Sequence, residues 1–236
     1  MQTFKKILLV TLFIFATNLA YSKVYGVFYG TNGWNLGCPE NDVTDLAKLY
    51  RNRGASIFLI RGKSVTKRNV ITYLKKQASA CDEDDMLIFA YSGHGWNGGM
   101  SCGYDCITYY EIISIFNTCK ARRKVIFTGA CESGGIRDAI KKAKLPSNGQ
   151  IFALTASRKN EYSYEQVGAK HSYFYGRIIN GLKGAADKDK NRIVTAKELF
   201  EYLSKYVRSD ACIDDGEHPT AYGKFNDNLR LISWFK

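Results

Sequence analysis

Short apolar runs alternate along the chain with stretches in which apolar residues recur every three or four positions. The runs at 24–29, 56–60, 86–91, 124–128 and 150–155 are rich in β-branched and aromatic residues. Each predicts a strand. Between them, Val43, Leu46, Ala47 and Tyr50 fall on one face of a helix predicted over 42–51, closed by Gly54. Thr66 opens a helix over 66–78 with Val70, Tyr73 and Leu74 on one face. Helices are predicted again over 109–119, 137–144, 172–182 and 196–207, and 229–234 reads as a last strand. Regular alternation of strand and helix implies an α/β fold, with a mostly parallel sheet and helices on both faces. Ligands bind such sheets beyond the carboxyl ends of the strands. Chemistry is therefore expected just after Tyr91 and just after Thr128.

The beginning of the chain has a different character. Lys5 and Lys6 precede an apolar run from Ile7 to Ala16, and small residues surround Tyr21 at Ala20 and Ser22. This is the pattern of a secretory leader over 1–22, cleaved after Ser22. The run is shorter than the roughly 20 residues that span a bilayer. Residues 23–236 are then expected to form one domain, secreted or periplasmic, monomeric and off the membrane. Only three prolines and no repeat occur, so no flexible linker is predicted.

The formal net charge of +12 raises the question of a nucleic-acid partner. The basic residues are spread along the chain, apart from small clusters at 120–124 and 141–144, and no nucleic-acid motif accompanies them. A solvated basic surface without nucleic acid is the expectation. Of seven cysteines, an oxidising compartment would pair six and leave one free. Cys131 is the odd one, and the Cys102–Cys106 spacing suits a local staple. Zinc is not expected, because no histidine or second cysteine pair sits at ligand spacing.

The two strand ends singled out above carry unusual residues. Ser92-Gly93-His94-Gly95 follows the third strand, and Gly129-Ala130-Cys131-Glu132-Ser133-Gly134-Gly135 follows the fourth. Adjacent strands lie about 4.8 Å apart, so neighbouring ends bring a thiol and an imidazole within reach. The imidazole takes the thiol proton and the thiolate attacks a carbonyl carbon. Glycines permit the sharp turns and close approach of a substrate. Backbone N–H groups near Gly95 and Cys131 are candidates to hold an oxyanion.

These segments resemble a known family. Tyr91-Ser92-Gly93-His94-Gly95 resembles the histidine motif of caspases and metacaspases. Ala130-Cys131-Glu132-Ser133-Gly134 resembles the nucleophile motif of legumains and metacaspases. Leu36-Gly37-Cys38 followed by Asn41-Asp42 resembles the metacaspase segment after the first strand, with one extra residue. The resemblance covers almost all of the mature chain. It implies a caspase-like three-layer sandwich with a sheet of about six strands. It also implies peptide-bond hydrolysis through an acyl-enzyme, a protein or peptide substrate, and no cofactor in the chemistry. His94 and Cys131 take the dyad roles and the Gly95 nitrogen an oxyanion role.

By the same resemblance, Asp42 and Ser92 line a pocket for arginine or lysine before the cleaved bond. Metacaspases place a second acid two residues before the nucleophile, where this chain has Gly129. A helix N-terminal acid is the plainer account of Asp42. Legumain-like cleavage after asparagine or aspartate, peptide ligation through the same acyl-enzyme, and a non-catalytic binding protein are the alternatives.

The segment 187–198 has the spacing of an EF-hand calcium loop. Asp187, Asp189, Asn191, Thr195 and Glu198 supply side-chain oxygens at loop positions 1, 3, 5, 9 and 12, and Ile193 a carbonyl at position 7. Arg192 occupies the position usually held by glycine, and a polar loop capping the following helix is the competing account. His171 and His218 have no evident cysteine partner and read as structural. Tyr162 and Tyr164, after the fifth strand, are candidates to line the cleft.

Overall fold

The computed structural model describes residues 22–33, 35–210 and 217–234. The predicted leader, Ser22 apart, and Cys212 lie outside them. No helix among the described residues is long and apolar enough to cross a membrane. In chain order the elements are β1 (Val24–Gly30), α1 (Pro39–Arg51), β2 (Ser56–Ile60), α2 (Lys67–Ala80) and β3 (Met86–Ser92). There follow β4 (Gly95–Trp96), β5 (Gly99–Cys102), β6 (Asp105–Thr108), α3 (Tyr109–Thr118), β7 (Arg123–Gly129) and α4 (Ile136–Ile140). The last are β8 (Gln150–Thr155), α5 (Tyr173–Asn180), β9 (Ile193–Thr195), α6 (Ala196–Asp210), β10 (Thr220–Tyr222) and β11 (Arg230–Ser233).

Six strands form the central sheet in the order β10-β8-β7-β3-β1-β2. All pair in parallel except β10, which runs antiparallel to β8. Parallel strands covered on both faces have no polar alternation, and every residue of β3 is buried. Successive side chains serve opposite faces. Phe28, Ile88 and Phe127 meet α1, α5 and α6, while Val27, Phe89 and Ile126 meet α2, α3 and α4. The result is the expected three-layer α/β sandwich.

Strand order reverses between β1, which hands on to β2 on one side, and β3, which continues to β7 and β8 on the other. That switch point opens a crevice at the carboxyl ends of β1 and β3.

Several expectations need correction. The last strand does not join the central sheet; β11 pairs antiparallel with β9. The sixth central strand is β10, too short to produce a readable apolar run. The first helix begins at Pro39, a residue suited to a first helical turn, so Asp42 lies inside α1. Between His94 and α3 the chain forms a small antiparallel sheet, β4-β5-β6, that was not predicted. Among the described residues every cysteine is a free thiol. The Cys102–Cys106 staple fails on geometry. Cys102 pairs across the hairpin with Asp105 and Cys106 with Ser101, which puts the two sulfurs on opposite faces.

Candidate active site

Ser92 ends β3 and pairs with Gly129, which ends β7. His94 and Cys131 each follow two residues later, so the register delivers both to one edge of the sheet at the same level. The two loops touch. Gly93 N donates to Gly129 O at 3.1 Å, and a Cβ at Gly95 would lie 2.8 Å from that of Ala130. Only glycine allows this approach. Gly93 has φ +149°, and a side chain there would also strike the Tyr91 hydroxyl.

The backbone of His94 is clamped. Its carbonyl accepts from Tyr91 Oη at 2.5 Å and from Ser101 N at 3.0 Å. Gly95 then stands opposite Met100, one position beyond the bonded pair. Alternate positions of an antiparallel ladder point their N–H groups away from the partner strand. The Gly95 N–H is thereby kept out of the hairpin ladder, beside the nucleophile loop.

Cys131 sits on a tight elbow. Glu132 adopts φ 54°, ψ 20°, a left-handed conformation costing a non-glycine residue roughly 1–2 kcal/mol. Several bonds hold it there. Glu132 N donates to Glu161 O at 2.7 Å, and the Glu132 carboxylate accepts from Asn97 N at 2.9 Å. Ser157 Oγ donates to Ala130 O at 3.0 Å and accepts from Ser133 N at 3.3 Å. The Cys131 thiol is half-buried and lies 3.7 Å from the carbonyl oxygen of Ser163. The loop after β8 thus passes directly beside the nucleophile.

A small cavity of about 40 Å³ opens next to the thiol, at the switch point. Ser92, Gly129, Ser163, Tyr164, Glu165 and Ser172 contribute to its walls. Asp42 lies beneath it, fully buried. Its carboxylate accepts from Ser92 Oγ and Ser172 Oγ, both at 2.8 Å, from Ser172 N at 3.2 Å and contacts His171 Nδ1 at 3.1 Å. Burial raises the Asp42 pKa, and the hydrogen bonds from His171, Ser92 and Ser172 oppose the rise. Asp42 therefore reaches the cavity through two hydroxyls and not directly. His171 also lies 3.2 Å from Asp45 Oδ2, which agrees with its structural reading. His218 Nδ1 is 3.2 Å from Glu161 Oε1.

Two acids here were missed in the sequence. Glu165 lines the cavity, and its carboxylate accepts from Gly37 N at 2.6 Å and Cys38 N at 3.2 Å. Glu217 is fully buried behind Tyr164, whose N–H it binds at 3.1 Å through Oε2. Its Oε1 has no hydrogen-bond partner among the described residues. Burial pushes the Glu217 carboxyl up to about 8, the Tyr164 bond opposes the shift, and the nearby Asp42 adds to it. The position of Glu165 one residue past Tyr164, itself a cleft candidate, was the available signal. Nothing in the sequence marked Glu217.

The 187–198 loop lies away from this site. Asp187, Asp189 and Glu198 each bring a carboxylate oxygen within 4.8 Å of the others. Lys190 and Arg192 hold φ +59° and +66°. Asp187 accepts from Asn191 N and Arg192 N, and Glu198 from Lys188 N and Thr195 N. Asn191 Oδ1 accepts from Ile193 N at 2.8 Å, and the Thr195 hydroxyl donates to Glu198 at 2.8 Å. Three converging carboxylates form the hard oxygen set that suits calcium.

A family model described as Caspase domain matches residues 26–225. Among solved structures, the chain is similar to a Geobacter sulfurreducens protein at a TM-score of 0.64 and 17% identity, covering 86% of this chain and 93% of that one. It is similar to caspase-1 from Spodoptera frugiperda at a TM-score of 0.63 and 13% identity, covering 85% and 86%. At these identities the likeness is one of fold. No curated protein matches in sequence.

Proposed function

The chain belongs to the caspase-domain family, and from that premise we propose that it is a cysteine endopeptidase with Cys131 as nucleophile and His94 as general base. The observation that carries this reading is the register of β3 and β7, which brings both residues to one sheet edge two positions past a paired Ser92 and Gly129. In the reaction, His94 takes the thiol proton and the Cys131 sulfur bonds to the substrate carbonyl carbon. Negative charge develops on the carbonyl oxygen, where the Gly95 N–H donates to it. The C–N bond breaks as the imidazolium returns its proton to the leaving amine. Water, deprotonated by His94, then cleaves the acyl-enzyme to a carboxylic acid and the thiol. Protein or peptide is the substrate, with arginine or lysine before the cleaved bond. Ser92 lines the cavity, with the Asp42 carboxylate bonded to it from beneath.

Two accessory readings belong to the same proposal. The leader pattern at 1–22 supports export to the periplasm or medium. The carboxylates of Asp187, Asp189 and Glu198 support calcium held in the 187–198 loop, with Asn191, Ile193 and Thr195 completing the set, in a structural role apart from the chemistry.

The test is digestion of a mixed peptide library by the mature protein, with cut sites read by mass spectrometry. Cuts present in wild type and absent in Cys131→Ala are the expected result. His94→Ala should reduce turnover by about 10²–10⁴-fold, the usual contribution of a positioned acid–base. A library untouched in a Cys131-dependent manner, together with a thiol inert to alkylating reagents, would overturn the peptidase reading.

A further inference from the structure

The pocket of an enzyme cutting beside a basic residue needs a negative charge that the incoming side chain can reach. Asp42 does not offer one. It has no exposed surface, and both oxygens already accept hydrogen bonds from Ser92, Ser172 and their neighbours. Position 129 is also closed to an acid. A Cβ on Gly129 would lie 2.6 Å from the Tyr175 ring. That ring is fixed, because its hydroxyl donates to Tyr91 O at 2.8 Å and Phe127 O at 3.2 Å.

We propose that Glu165 is the specificity-determining acid, the group that meets a guanidinium or ammonium on the residue before the cleaved bond. This rests on the peptidase reading above and assigns the selectivity within it. Among the described residues, Glu165 is the one charged residue lining the cavity. It lies two residues beyond Ser163, whose carbonyl touches the Cys131 thiol, so it stands on the segment nearest the reacting atoms. The N–H groups of Gly37 and Cys38 anchor its carboxylate without neutralising it. A carboxylate offers about four acceptor sites, so capacity remains for a charge-assisted bond, bidentate in the case of arginine.

The surroundings do not cancel this charge. Lys170 Nζ is committed to Asp45 at 2.5 Å, and His171 to Asp42 and Asp45. Glu217 lies behind the adjoining Tyr164 and Asp42 beneath the floor. Glu165 is thus the acid presented to the ligand.

The experiment compares kcat/KM for matched peptides carrying arginine, norleucine or glutamate before the cleaved bond. It uses wild type, Glu165→Gln, Glu165→Arg and Cys131→Ala. Ratios between peptides within one preparation do not depend on how much of a variant folds. Wild type should favour arginine over norleucine. Glu165→Gln, which keeps one acceptor oxygen for the Gly37 N–H and loses the charge, should lower that ratio by about 10- to 100-fold, the worth of one charged hydrogen bond. Glu165→Arg should turn the preference toward glutamate. If wild type favours arginine and Glu165→Gln leaves the ratio unchanged, the assignment fails while the peptidase stands. Cys131-dependent cuts without a preference for arginine also overturn it. Absence of any Cys131-dependent cut removes the peptidase reading, and the assignment with it.

Discussion

The carboxylates beside the nucleophile and those of the 187–198 loop differ in how the chain assembles them. Asp42, Glu165 and Glu217 come from α1, from the loop after β8 and from the approach to β10. Their bonds reach across large separations, 128 positions from Gly37 to Glu165 and 130 from Asp42 to Ser172. The loop carboxylates come from twelve consecutive residues and bind neighbours at most ten positions away. Asp42 and Glu217 are fully buried, whereas Asp189 is exposed and Asp187 and Glu198 half-buried. Buried acids must be satisfied by the fold. Solvated ones are held in place by local turns and cost the fold little.

Removal of one acid from each group gives the largest expected contrast. Asp42→Ala leaves Ser92, Ser172 and His171 around a void, with buried donors unpaired. It should lower unfolding free energy in urea at pH 7 by about 3 kcal/mol. Asp187→Ala without calcium should lower it by less than about 1 kcal/mol, as exposed polar groups usually do. Equal losses would dissolve the distinction between the two regions.

The same distinction explains what the sequence revealed. The fold was legible because five parallel strands are continuous apolar runs and the helices repeat every three or four residues. The placing of His94 and Cys131 at one sheet edge was legible because both sit in glycine-rich segments directly after two such runs. The convergence of Asp187, Asp189 and Glu198 was legible because their spacing is local. Glu165 was not, because its place depends on the loop after β8 folding back onto 36–38. Asp42 lines the pocket by resemblance, and its bonds to Ser172 and His171 depend on residues far along the chain. β10 escaped notice because three residues carry no period, and Glu217 just before it went unmarked for the same reason.

A smaller effect separates Glu217 from the loop acids through pH. Its folded pKa, about 8, lies above the ordinary value of 4.5. Between those values the folded state holds a proton that the unfolded state has released. Stability from this group is therefore fully present below about pH 4.5 and lost as pH rises toward 8. Glu217→Gln retains an acceptor for Tyr164 N and cannot ionise. Urea unfolding from pH 5 to pH 8.5 should show wild type losing stability relative to this variant. Parallel curves would mean that Glu217 is not held protonated.

The smallest effect is expected at Arg192. Its φ of +66° is a conformation that glycine adopts freely, and its backbone N–H donates to the Asp187 carboxylate. Arg192→Gly relieves about 1 kcal/mol of backbone strain. Glycine's greater freedom in the unfolded chain offsets most of that gain. Stability without calcium should thus change by less than about 1 kcal/mol. Removal of the positive charge acts on the ion instead. In a thermal melt against calcium chloride, the Tm of wild type should rise over roughly 10⁻⁴–10⁻³ M, the range of weaker oxygen sites. Arg192→Gly should reach the same rise at a few-fold lower concentration, and Asp189→Ala should lose it. A wild-type Tm indifferent to calcium across that range would leave the loop as a cap for α6, its acids bound to backbone N–H groups, to the Asn191 amide and to Thr195.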